Sequence, residues 1–252
     1  MILLFSGTGN SLHVANQIAG PLGERIVRLP LKDDTVDLSG DNRVIWVFPV
    51  YSWGVPPVVL KQLRKINIKG AEKAVHHCVM TCGDDVGQTD RMWRTAIANR
   101  GWESASVFSV QMPNTYVLMK GFDVDSPELA AEKIEKSVPR CKEIAGWIDR
   151  NPTDVHTDVV RGGFAWIKTK IIYPYFVKFE MSPKPFHSTE ACVGCGSCSR
   201  ICPLNNIEMK DRRPQWGTDC ALCLGCYHVC PYHAVAYGNA TKNKGRKEIL
   251  CD

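Results

Sequence analysis

The chain begins Met1-Ile2-Leu3-Leu4-Phe5-Ser6-Gly7-Thr8-Gly9-Asn10-Ser11, an apolar run that breaks into a loop of hydroxyls and glycines. A helical pattern follows at once, with apolar residues at Leu12, Ala15, Ile18, Ala19 and Leu22. A strand, a small-residue turn and a helix in that order form the first half of a βαβ unit. The rhythm continues outward from this stretch. Residues 25–29 are a second short apolar run, and residues 43–48 read as a buried strand stopped by Pro49. Pro56 and Pro57 open a helical stretch through Leu60, Leu63 and Ile66, where a first-turn proline is tolerated. Residues 73–80 and 105–112 read as two more strands, with a helix between them at 89–100. Five strands alternating with helices predict an α/β fold, a doubly wound parallel five-stranded sheet.

Beyond the fifth strand, Ser126-Pro127-Glu128 is a strong helix start: an N-cap, a first-turn proline and a carboxylate at the positive helix end. That helix is expected to run toward Arg150, kinked or interrupted at Pro139, and to close at Asn151-Pro152. Residues 164–180 are aromatic and basic; they are expected to pack on the α/β domain and brace the second domain, a membrane-interface or partner-binding face being the alternative. Ser182-Pro183-Lys184-Pro185 is a stiff connector. The expected division is 1–150, an α/β domain; 151–185, a connecting segment, partly helical; and 186–252, a small cysteine-rich domain.

The chain has 252 residues, 44% hydrophobic and 23% charged, which excludes a disordered chain, a collagen and a coiled-coil rod. Its longest uncharged apolar stretch, residues 44–51, is eight long, against about 20 for a membrane-spanning helix. The opening residues lack a basic n-region and a long apolar core, so a secretory signal is not expected and a cytoplasmic location is.

Twelve cysteines are the outlying number, and eight of them fall between Cys192 and Cys230. A reducing compartment disfavours disulfides, so the cluster reads as metal binding. Cys192, Cys195, Cys198 and Cys202-Pro203 recur as Cys220, Cys223, Cys226 and Cys230-Pro231, an offset of 28 residues. Zinc would use two C-x-x-C pairs and leave cysteines over. Each half spells C-x-x-C-x-x-C-x-x-x-C-P and resembles the two-cluster bacterial ferredoxin family over residues 186–238. The resemblance implies two 4Fe-4S clusters with exchanged fourth ligands: Cys192, Cys195, Cys198 and Cys230 for the first; Cys220, Cys223, Cys226 and Cys202 for the second. Val193, Ile201, Ile207, Leu222, Leu224, Val229 and Val235 are expected to pack around them. Two such clusters and a phosphate monoester bring the formal charge of +5 to about −1, so a nucleic-acid partner is not expected.

The loop Ser6–Ser11 suits a phosphate, because hydroxyls and free helix N–H groups converge there. It has no P-loop lysine, and it lacks both the third glycine and the acid after strand two of a dinucleotide fingerprint. A flavin mononucleotide site is the third reading. Here the chain resembles the flavodoxins. Ser6-x-Thr8-Gly9-Asn10-Ser11 is similar to their phosphate loop, Pro49-Val50-Tyr51-Ser52-Trp53-Gly54 stands where their second flavin loop lies, and Thr81-Cys82-Gly83-Asp84-Asp85-Val86-Gly87 where the third lies. That resemblance implies the strand order 2-1-3-4-5 and FMN at the switch point. Tyr51 and Trp53 are the candidates for stacking on the flavin ring, or else pack beneath their loop; Tyr116 is a third aromatic able to reach it. Asp84 and Asp85, if near the ring, would lower its potential; otherwise they are solvated turn residues. Cys82 is a flavin contact or, more simply, an inert thiol. His76 and His77 read as one core and one surface residue of a strand, and Cys78, Cys141 and Cys251 have no companion spacing.

Both resemblances together match a flavodoxin–ferredoxin fusion family. They imply an electron-transfer protein that shuttles electrons between 4Fe-4S clusters and FMN and so joins one-electron to two-electron carriers, its partner a redox protein or a small-molecule donor or acceptor. Two other readings stand beside it. One is an FMN-dependent reductase of a small molecule such as a quinone, nitro compound or coenzyme, which an enlarged pocket lined by 113–122 and 164–180 would favour. The other is a redox-sensing interaction module.

Overall fold

Two strands organise the molecule: β4 (Arg43–Pro49) and β6 (Val75–Cys82), buried on both faces. Being covered on both sides is the condition of a central strand in a parallel sheet. The computed structural model describes residues 1–38, 40, 42–70, 74–150 and 152–250. In it β1 (Ile2–Leu4), β2 (Ile26–Arg28), β4, β6, β7 (Glu103–Gln111) and β8 (His156–Asp158) form one sheet in the order β2-β1-β4-β6-β7-β8, with every pairing parallel. A small parallel pair, β3 (Thr35–Asp37) with β5 (Asn67–Lys69), stands apart from it.

The helices follow the side-chain alternation of the strands. On one face Ile2, Leu4, Ile45 and Val47 pack with Val14 and Ile18 of α1 (Asn10–Leu22) and with Ile144 and Ile148 of α4 (Pro127–Arg150). On the other, Leu3, Trp46, Phe48 and Met80 pack with Val59 and Leu63 of α2 (Pro57–Lys65) and with Trp93 and Ile97 of α3 (Thr89–Ala98). The sheet is wound on both faces, and its first five core strands keep the expected order.

Three expectations are corrected. The sheet has six strands, not five: His156-Thr157-Asp158 adds an edge beside Ser106–Phe108, past residue 150. Helix α4 is not interrupted at Pro139; a proline deletes a single backbone donor, while Ser137, Cys141, Ile144 and Ile148 stay buried on either side of it. His76 and His77 are both fully buried. His76 Nδ1 accepts from Trp46 Nε1 at 3.0 Å, and His77 Nδ1 meets Ser106 Oγ at 2.7 Å. Lys73, Asn151 and Cys251 lie outside the described residues.

After α4 the chain forms a helical segment at 165–180 in which α-helical turns (Ala165–Ile167, Tyr173–Tyr175) alternate with π-helical ones (Lys168–Ile172, Phe176–Glu180). Its inner side packs on the α/β part. Thr169 Oγ1 donates to the Trp53 carbonyl at 2.7 Å and accepts the Gln88 N–H at 2.8 Å, and Tyr173 Oη donates to the Val55 carbonyl at 2.6 Å. Gly54 lies directly under the Tyr173 ring, where a Cβ has no room. The cysteine-rich part holds two antiparallel pairs, β9 (Phe186–Ser188) with β12 (Val235–Tyr237) and β10 (Ile207–Lys210) with β11 (Arg213–Trp216), and short helices at Ser197–Ile201 and Gly225–His228.

Candidate functional site

The cysteine repeat is a repeat of backbone conformation as well as of sequence. Left-handed residues recur at the 28-residue offset: Gly194 and Leu222, Gly196 and Leu224, Asn205 and His233. The same offset relates two N–H···S hydrogen bonds, Asn206 to Cys202 Sγ and Ala234 to Cys230 Sγ, both 3.3 Å. These turns aim the sulfurs inward around two hollows. Cys192, Cys195, Cys198 and Cys230 line one, with Val193, Met209 and Tyr232. Cys202, Cys220, Cys223 and Cys226 line the other, with Phe186, Leu204 and Trp216. Each set therefore draws its fourth cysteine from the other repeat. Among the described residues no group of three or more His, Cys, Asp and Glu is placed to hold a single metal ion.

The two hollows differ in exposure. Cys195 is exposed, and hydrogen bonding to Ser197 holds its thiol below the ordinary value. Cys226 is buried. Burial pushes the Cys223 thiol up to about 12 and Cys226 well above its usual range. Thiols in such a place ionise only against a compensating cationic centre, which a metal core supplies. Of the expected shell, Ile207, Leu222, Leu224 and Val235 are buried, but Val193 is 43% exposed, leaving the first hollow nearer to solvent.

A third and much larger cavity, about 430 Å³, opens at the C-terminal ends of β4 and β6. Pro49, Val50, Tyr51, Ser52 and Trp53 line it from the second loop, and Cys82, Gly83, Asp84 and Asp85 from the third. Its far wall comes from Asn114–Tyr116, Met119 and Phe122, and from Ile172, Tyr175, Phe176 and Glu180. Tyr116 packs edge-on to Phe122 and Phe176, with ring centroids 5.8 and 6.0 Å away. Burial raises the Tyr51 phenol well above its usual range, and its buried hydroxyl has no partner. Trp53 is held by its backbone and lies under Lys168, whose Nζ is 5.0 Å from the ring and 2.6 Å from Asp85. Asp84 is exposed, 4.0 Å from Lys133. Burial pushes the Cys82 thiol up to about 12, so it is an inert wall.

The remaining predicted residues lie apart from this cavity. Gly54 is closed off by Tyr173, and Thr81 Oγ1 is 2.8 Å from Ser11 Oγ. Ser6, Thr8, Gly9, Asn10 and Ser11 do form the turn into α1, and the Leu12 N–H donates to Ser6 Oγ at 3.3 Å. Asn10 Nδ2 donates to the Pro113 carbonyl at 2.8 Å, while Asn10 Oδ1 is buried without a partner. This loop is roofed over: Gly7 packs against Cys223, and the Leu250 backbone lies on Gly9. A flavin ring suits the cavity in size and lining, and the buried Tyr51 Oη on its wall lacks a partner.

Leu222, Cys223 and Leu224 also line the large cavity, and no local pattern in the sequence announces it. Cys223 therefore borders both the second cysteine hollow and the cavity. Also without a sequence signal is the support behind Asn114, which bonds both oxygens of Asp125, itself paired with Lys133 at 2.7 Å.

Residues 185–208 match a family model described as a 4Fe-4S binding domain. No curated protein matches the chain. The match covers the first cysteine repeat, so the chain carries a ferredoxin-type iron–sulfur segment, and an electron-transfer role follows from it.

Proposed function

We propose that this protein moves electrons between two 4Fe-4S clusters in its C-terminal part and an FMN at the switch point of its sheet, joining one-electron carriers to a two-electron centre in a reducing, cytoplasmic setting. The proposed ligands are Cys192, Cys195, Cys198 and Cys230 for one cluster and Cys202, Cys220, Cys223 and Cys226 for the other. Tyr51, Ser52, Trp53, Cys82, Gly83 and Asp84 would hold the flavin ring, and Ser6, Thr8, Asn10 and Ser11 its phosphate. Bound FMN supplies a centre that accepts electrons singly or in pairs.

The observation that carries the reading is the double position of Cys223, on the wall of the second cysteine hollow and of the cavity. Around it the chain's own residues do three things. Leu222 and Leu224 are buried beside Cys223 and exclude water. Tyr51 keeps its proton and has a hydroxyl free to donate. Cys195, exposed on the first hollow, offers the outer redox partner a point of approach. Anaerobic purification followed by iron, sulfide and flavin analysis tests the assignment; about eight iron atoms and one FMN per chain are expected. Zinc in place of iron, or full iron with no flavin after reconstitution, overturns it.

One observation favours a second reading, a small-molecule reductase. The cavity extends past the two loops to Tyr116, Met119, Phe122, Ile172, Tyr175 and Phe176, the enlargement such an enzyme needs. Steady-state turnover of a quinone or nitro compound by the reduced protein separates the two readings.

A further inference from the structure

The segment 165–180 has a second side that the bracing contacts leave uncovered. Phe164 is 81% exposed, Trp166 57%, Ile171 54%, Tyr175 57% and Phe179 58%. Single exposed apolar residues need no explanation, but a contiguous set of this size marks an interaction surface. The set is ordered. Ile167, Ile171, Tyr175 and Phe179 recur every four residues on the outside, while Thr169 and Tyr173, two residues out of phase, are buried against the α/β part. In a regular α-helix of about 3.6 residues per turn a four-residue repeat drifts round the axis. The two π-helical turns are wider and hold the repeat on one side. Phe164 is placed by a left-handed backbone, φ 53°, which a bulky side chain rarely adopts.

Charge identifies what this stripe meets. Lys170 and Lys178 are exposed beside it, and Lys120 is exposed on the loop whose Met119 and Phe122 edge the cavity. The segment's one carboxylate, Glu180, lines the cavity instead. Aromatic and branched apolar residues flanked by lysines are the composition of a helix lying in a lipid headgroup layer. Among the described residues no helix is long and apolar enough to cross a membrane, so such a contact is peripheral. The stripe is also continuous with the cavity, since Tyr175 belongs to both.

We propose that the outer side of 164–179 docks the protein on an anionic membrane surface, its aromatic residues in the headgroup layer and Lys170 and Lys178 against lipid phosphates. The test is anaerobic co-sedimentation of the full iron-loaded chain with phosphatidylglycerol-containing vesicles and, in parallel, with pure phosphatidylcholine. Binding to the anionic vesicles alone, weakened by salt, is expected. The pair K170E and K178E should lower partitioning about tenfold or more, with iron content and unfolding temperature unchanged. Phe179→Glu should do the same, and if that variant fails to fold, the lysine pair decides. Equal binding to both vesicles, or none, overturns the proposal. So does a concentration-dependent dimer in sedimentation velocity that these substitutions dissolve, which would make the stripe a contact between two copies.

Discussion

Cys202 sits in the first cysteine repeat yet lines the hollow of the second. Cys202→Ala should therefore damage the cluster of Cys220, Cys223 and Cys226 and spare the other, which iron content and low-temperature electron spectra of the reduced protein will separate; loss confined to the first repeat's cluster contradicts the crossed arrangement. The two strand histidines give a pH test. Burial takes His76 down to about 3 and His77 to about 4, below an unfolded value of about 6.5. The unfolded chain thus binds the protons, so their contribution to stability is complete above pH 6.5 and is lost as the pH falls toward about 4 and then about 3. The variant His76→Gln/His77→Gln should show a flatter urea midpoint against pH over that window. Alternation along a strand predicts one inside and one outside residue, and that logic fails here because β6 has no outside. The first cysteine repeat, by contrast, is legible as an iron–sulfur motif, because metal geometry constrains sequence directly.

Thr169 does two jobs with one hydroxyl, donating to the Trp53 carbonyl and accepting from Gln88. Thr169→Val should cost about 1–3 kcal/mol, the penalty of a buried N–H left alone, read as a fall in unfolding temperature. Affinity for the proposed flavin should fall with it, since Trp53 lines the cavity. The aromatic and basic character of 164–180 revealed a two-sided element, but π-helical turns leave no signature in composition. Edge strand β8 was invisible for another reason. His-Thr-Asp has no apolar run, and the strand is tied down by Arg94 Nη2 to the His156 carbonyl at 2.7 Å and by Arg140 to Asp158 at 2.7 Å. Such long-range polar ties escape any reading of neighbours along the chain.

The docking of the cysteine-rich part on the sheet was the least legible feature, since nothing local in either sequence pattern names the other as its neighbour. It rests on small residues: a Cβ on Gly225 would stand 2.5 Å from the Gly7 carbonyl oxygen. Gly225→Ala should push the Cys223 turn away from the cavity. Stopped-flow reduction is expected to show slower passage from clusters to flavin, with iron and flavin contents each retained. The two halves of the cysteine repeat also differ where they should match. The first places glycines at its left-handed positions 194 and 196; the second places leucines at 222 and 224 in the same conformation, at a backbone cost of about 1–2 kcal/mol each. The half with glycines faces outward, and the half with leucines faces the cavity. Keeping a strained, greasy partition on that side amounts to insulation, which would hold dioxygen and stray protons off the gap between the proposed cluster and the proposed flavin. A chain given glycine at both places would gain backbone ease and become a leakier conductor, its reduced form fading sooner in air.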